Sequence, residues 1–157
     1  MAGPPSFESA RILIVDDEGA NVALLEGLLR SAGYGSVHAA QDSRAVPAMY
    51  AELEPDLVLR DLHMPHLDGG ELLHRFRAHT PPSDYVPVII LTADSTTDAA
   101  RRALAAGARD VVQKPFDVHE VLLRVRNLLE TRFYHRPFTR DDLLRKMREV
   151  LDTGIPA

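Results

Sequence analysis

Three unbroken apolar runs, each stopping at polar residues, constrain this chain most: RILIVDD at 11–17, DLVLRD at 56–61 and VPVIILTAD at 86–94. A strand with one face in water alternates apolar and polar residues. These runs do not, so each needs cover on both faces. GSVHAA (35–40) and DVVQ (110–113) are weaker runs of the same kind. Segments of helical spacing lie between them. Val22, Leu24, Leu25, Leu28 and Leu29 repeat along a first helix that Gly33 closes. Ser43 to Leu53 reads as a second, with Pro47 tolerable only near a first turn. ELLHRFRAH (71–79), DAARRALAAGA (98–108) and VHEVLLRVRNLLETRF (118–133) read as three more.

Alternating strands and helices predict an α/β fold, a doubly wound parallel sheet with helices on both faces and right-handed crossovers. In such open sheets ligands bind beyond the carboxyl ends of the strands, at a switch in strand order. The strand ends carry Asp16 and Asp17, Asp61, Thr92 and Lys114. With strand order 2-1-3-4-5, the ends of the first, third and fourth strands share one crevice, and a lysine one strand further away can reach into it. Three carboxylates held together repel one another unless a cation enters. Oxygen ligands without sulfur favour Mg²⁺ or Mn²⁺. A hydroxyl and an ammonium beside them suit the oxygens of a phosphoryl group. The set reads as a site that places phosphate on a carboxylate, with Asp61 as the nucleophile.

Composition excludes several other classes. At 157 residues the chain suits one domain, with 45% apolar and 26% charged residues. A net charge of −5 argues against direct nucleic-acid binding and against an anionic membrane surface. Cysteine is absent, which rules out disulfides and thiolate metal sites. MAGPPSFESAR lacks the apolar core of a signal peptide, and no window approaches a membrane span, so a cytoplasmic protein is expected. Residues 1–9, rich in Pro, Gly and Ser, are expected to form a flexible leader.

IVDD, DLHMPHLDG, ILTA and KPF, in this order and on these elements, resemble the signature of response regulator receiver domains of two-component signalling, of the single-domain type seen in chemotaxis regulators. The resemblance covers residues 10–133. It implies a flavodoxin-like fold in which Asp61 is the phosphoacceptor, attacking a phosphohistidine in line. It implies that Asp17 and Asp61 ligate Mg²⁺ (or Mn²⁺) directly, that Asp16 reaches the metal mainly through water, and that the backbone carbonyl of His63 adds a ligand. Lys114 would neutralise the phosphoryl charge, and Thr92, with Ala93 beside it, would bind the phosphoryl oxygens and switch. Met64-Pro65 and Asp68-Gly69 would shape the loop after the acceptor, and Lys114-Pro115 would be a cis peptide. The implied partners are a sensor histidine kinase and a downstream protein. The latter would be met by the surface of helix 98–108, strand 110–113 and helix 118–133. The implied activity is not enzymatic turnover; the domain promotes only its own phosphorylation and dephosphorylation.

Each piece has an ordinary reading taken singly. Asp16 and Asp17 would serve as helix caps, and Lys114 as a solvated turn residue. Their joint placement is what favours the phosphoryl site. Three departures from the family pattern stand out. Val111 occupies the position where the family usually has a Tyr or Phe that rotates on phosphorylation. Arg60 precedes the acceptor where an aliphatic or small residue is common. It should face away from Asp61, either snorkelling to the surface or pairing with a carboxylate. His63 and Asp94, each two residues beyond Asp61 and Thr92, border the phosphoryl pocket in the family and are candidates for tuning phosphate lifetime.

Residues 134–157 follow the receiver pattern. A helix capped at Thr139, with Asp142 in a capping-box-like position, would carry Leu143, Leu144, Met147, Val150 and Leu151 as one apolar stripe. This helical extension either folds back or packs on another subunit, and a homodimer is expected. Leu122, Leu123, Val125, Leu128 and Leu129 of helix 118–133 form a second candidate dimer surface. Three rival readings have other outputs: a receiver fragment of a longer cyclic-dinucleotide phosphodiesterase regulator, a haloacid-dehalogenase-type phosphatase, and a non-phosphorylated scaffold. The phosphatase is disfavoured because His63 stands where such enzymes place a second aspartate.

Overall fold

The computed structural model describes residues 7–62, 78, 86–93, 97–135, 144, 147, 148, 151 and 152. In chain order the elements are β1 (Arg11–Val15), α1 (Gly19–Ser31), β2 (Ser36–Ala40), a 3₁₀ turn (Ser43–Ala45), α2 (Val46–Leu53), β3 (Leu57–Asp61), β4 (Val88–Thr92), α3 (Thr97–Ala105), β5 (Asp110–Gln113) and α4 (Val118–His135). Ala78, the one described residue of the expected 71–79 segment, is helical. No described helix is long and apolar enough to cross a membrane.

The five strands form one parallel sheet in the order β2-β1-β3-β4-β5. Strand alternation sorts their side chains onto two faces. Ile12, Ile14, Leu57, Leu59, Ile89, Leu91 and Val112 meet Val22, Leu25 and Leu29 of α1 and Val121, Val125 and Leu129 of α4. Leu13, Val15, Val58, Val88 and Ile90 meet Val46 and Tyr50 of α2 and Ala103 of α3. Each fully buried Leu or Ile contributes about 1.5–3 kcal/mol relative to an exposed one. Both faces are covered, which is why the runs show no alternation.

Local chemistry accounts for several boundaries. Gly33 takes φ 100° just past α1, with Gly33 N–H donating to Arg30 O and Tyr34 N–H to Leu29 O. That pair of bonds is a Schellman stop, and the left-handed position favours glycine. Gly107 (φ 113°) ends α3 the same way, through Ala108 N–H to Ala103 O. The helix expected over Ser43–Leu53 divides into a 3₁₀ turn and α2, because Pro47 has to sit in the first turn of an α-helix. Asp42 opens that turn by accepting from Arg44 N–H.

Other expectations need correction. Phe7, assigned to the flexible leader, packs partly buried against the core, its ring stacked on Phe133 at 5.4 Å. The last helix runs to His135, two residues beyond the expected boundary at 133. Of the candidate dimer residues on this helix, Val125 and Leu129 are core and Leu122 and Leu128 pack against it, leaving Leu123 exposed. Arg60 does not snorkel; it is fully buried. It shares the α2–α3 face with Val58 and is level with Val15 and Ile90.

Candidate functional site

Asp16 follows β1, Asp61 ends β3, Thr92 ends β4 and Lys114 follows β5, so four parallel strands deliver them to one edge of the sheet. By alternation Asp16, Asp61 and Lys114 continue the rows of Ile14, Leu59 and Val112, the α1–α4 face. Thr92 continues the row of Ile90 on the other face. Backbone bonds lock the strand ends together: Asp16 N–H donates to Ala40 O, Leu62 N–H to Leu91 O, and Lys114 N–H to Thr92 O at 2.7 Å. The Lys114-Pro115 peptide is cis.

Lys114 is not a solvated turn residue. Its Nζ lies 3.2 Å from Asp16 Oδ2 and 3.4 Å from Asp61 Oδ2, with only 17% of the side chain exposed. Asp16 is sealed from solvent and also accepts from Glu18 N–H on Oδ1 (2.9 Å) and from Asn21 Nδ2 on Oδ2 (3.3 Å). The helix-cap reading therefore fails for Asp16. Glu18 is the N-cap of α1, and Asp16 accepts from that residue's own N–H in the turn before the helix. Asp17 is exposed at the mouth.

Oxygens of Asp16, Asp17 and Asp61 all lie within 4.8 Å of one another. One ammonium is shared by two of these three carboxylates, so negative charge remains in excess. Hard oxygen donors at this spacing fit a divalent cation of the Mg²⁺ or Mn²⁺ kind. Thr92 is buried, and Ala93 beside it is exposed at the strand end. Val111 is half-buried, level with Ile90 and packed against the α2–α3 cluster. His63, Asp94, Met64-Pro65 and Asp68-Gly69 lie outside the described residues. Asn21 and Glu18 were missed from sequence. The available signal was an amide side chain in the otherwise small and apolar opening turn GANVALL.

A family model described as the response regulator receiver domain matches residues 12–126. The chain belongs to the response regulator receiver family. It is 40% identical over 125 residues to response regulator PleD of Caulobacter vibrioides, covering 80% of this chain and 27% of that protein. It is 40% identical over 119 residues to the transcriptional regulator RpaA of Synechocystis, covering 76% and 48%. This receiver therefore spans between a quarter and a half of the length of such relatives. Among solved structures, the Francisella response regulator 1452 receiver domain superposes with TM-score 0.70 at 27% identity, covering 78% of this chain and 98% of that one. Vibrio cholerae chemotaxis protein CheY4 does so with TM-score 0.70 at 26%, covering 76% and 98%.

Proposed function

We propose that this receiver accepts a phosphoryl group on Asp61 from a sensor histidine kinase and signals by a change of conformation. The observation that carries the reading is the Asp61 carboxylate at the end of β3, 3.4 Å from Lys114 Nζ and within 4.8 Å of Asp16 and Asp17 oxygens. An Asp61 oxygen attacks the phosphorus of the phosphohistidine. The P–O bond forms as the P–N bond breaks, and the leaving imidazole keeps the electron pair and takes a proton from water. Lys114 turns from the carboxylates to the phosphoryl oxygens, and Thr92 with Ala93 contributes a hydroxyl and a backbone N–H. Asp16, Asp17, Asp61 and the His63 carbonyl would hold Mg²⁺, which supplies charge neutralisation when bound.

The added charge biases two conformations that already interconvert. Output runs through the surface of α3, β5 and α4 to a downstream protein. On that surface Arg124 binds Asp110 and Glu120. The bond to Asp110, then that to Glu120, raises the guanidinium pKa above its ordinary value. A second copy of the chain completes the partner set through the tail, where Leu144, Met147 and Leu151 are exposed. A chain ending at His135 that kept a dimeric mass in light scattering would remove the tail from that role. His63 and Asp94 tune phosphate lifetime, so His63→Ala should change the decay rate of the phosphorylated form.

The deciding experiment incubates the chain and its Asp61→Asn variant with acetyl phosphate and Mg²⁺ and reads intact mass. One added phosphoryl group on the parent alone supports the reading; equal uptake by both sinks it. The short coverage of PleD and RpaA favours the same phosphoacceptor chemistry in a receiver unit inside a longer regulator, and the size of the native protein on an immunoblot tests that.

A further inference from the structure

Asn21 lies in the first turns of α1, and its Nδ2 is 3.3 Å from Asp16 Oδ2 and 3.0 Å from Glu18 Oε2. An amide nitrogen carries two hydrogens, one for each carboxylate, and since both neighbours only accept, the nitrogen rather than the oxygen faces them. Among the described residues, Asp16 accepts from three donors of different kinds. The Glu18 N–H is fixed by the backbone. Lys114 divides its charge between Asp16 and Asp61. Asn21 has no such second duty toward the acceptor, and Glu18 pins it from the solvent side.

The proposed chemistry makes that difference matter. When Lys114 turns to a phosphoryl group on Asp61, Asp16 Oδ2 loses its ammonium partner. Oδ1 stays on the Glu18 N–H, but a sealed Oδ2 with no donor left would be costly and the carboxylate could swing about its one remaining bond. Asn21 is the side-chain donor that stays.

We infer that Asn21 is a positioning residue. Anchored by Glu18, it holds the Asp16 carboxylate in its site orientation, above all when Lys114 is engaged elsewhere. The inference rests on the phosphoacceptor reading and deepens it. A role confined to the start of α1 would change stability and nothing else.

The test uses the full chain with Asn21→Ala and with Asn21→Leu, which keeps the shape and removes the donor. Mg²⁺ affinity is measured by calorimetry with and without fluoroberyllate as an acyl-phosphate mimic, alongside melting in Mg²⁺-free buffer. Both variants should bind Mg²⁺ about tenfold more weakly, the scale expected when a partner of a metal ligand is lost. The loss should be larger with fluoroberyllate, and Mg²⁺-free melting should stay close to the parent's. Glu18→Ala should show the same pattern to a smaller degree. If the parent binds Mg²⁺ and both Asn21 variants match it, this inference is overturned alone. A Leu variant that matches the parent while the Ala variant does not assigns Asn21 to packing and also overturns it. A parent that binds no Mg²⁺ overturns the phosphoacceptor reading and this inference together.

Discussion

Arg132 Nε donates to Asp56 Oδ1 at 3.1 Å, and both side chains are at most 5% exposed. The bond joins the far end of α4 to the residue just before β3, at the edge of the sheet opposite Asp61. Asp56 Oδ2 also accepts from Arg11 N–H at 2.8 Å, so one carboxylate ties together β1, β3 and α4. Without Arg132, Asp56 keeps the Arg11 N–H and the Arg11 guanidinium, whose Nε is 3.7 Å from Oδ2. Arg132→Ala should therefore lower stability by the worth of one buried charge-assisted hydrogen bond, about 1.5–3 kcal/mol. Urea unfolding of the parent and variant measures this. A loss below about 1 kcal/mol, the value of an exposed pair, would contradict the buried geometry.

Lys114 faces two carboxylates now and a phosphoryl group in the proposed reaction. Replacing it with Met keeps much of the stem's volume and removes the charge. Phosphorylation by acetyl phosphate should slow on the order of 100-fold, the scale for losing one donor aimed at developing charge. Intact mass against time gives the rate, and a rate within twofold of the parent would take Lys114 out of the chemistry.

Asp17 adds a third carboxylate to Asp16 and Asp61 at the exposed mouth. In Mg²⁺-free buffer it contributes repulsion, so Asp17→Asn should raise the melting temperature by roughly 2 °C, a small increment for a domain of this size. Saturating Mg²⁺ should reverse the order, since the parent has the better ligand set and gains more from binding. Scanning calorimetry of both proteins with and without Mg²⁺ checks the crossover. Parallel curves would mean that Asp17 is not part of the cation site.

The strands were legible because burial on both faces leaves a plain mark, an unbroken β-branched run that stops at the ligand edge. The placement of Asp16, Asp61, Thr92 and Lys114 was legible for the same reason, since a polar residue that ends such a run has to sit at the sheet's edge. The contact of Asn21 with Asp16 was not, because it depends on α1 folding back beside Asp16, and one amide in a helix start has no distinctive spacing. Arg132 and Asp56 were hidden by distance: 76 residues separate them. Helical periodicity marked Val125 and Leu129 as apolar without saying which neighbour buries them, so core was read as a candidate dimer surface. Arg60 was placed correctly on the opposite face from Asp61, but alternation says nothing of depth.

Phe7 and Phe133 stack with rings 9° from parallel, which places the end of the N-terminal segment against the last helix. The segment MAGPPSFES has the composition of a flexible leader, and one aromatic ring is enough to dock its final residues. Phe7 lies against the α1–α4 cluster and Ala10 N–H donates to Phe7 O, so the ring is held from its own backbone as well. Phe7→Ala should cost about 2 kcal/mol, combining lost burial with lost stacking. Phe133→Ala should cost less, because that side chain is partly exposed. The double variant separates the two contributions. Stacking between the rings should appear as a coupling of about 0.5–1.5 kcal/mol in a double-mutant cycle read by urea unfolding. Strictly additive losses would show that Phe7 packs on the core without help from Phe133. A Phe7→Ala variant as stable as the parent would return residues 7–9 to the leader.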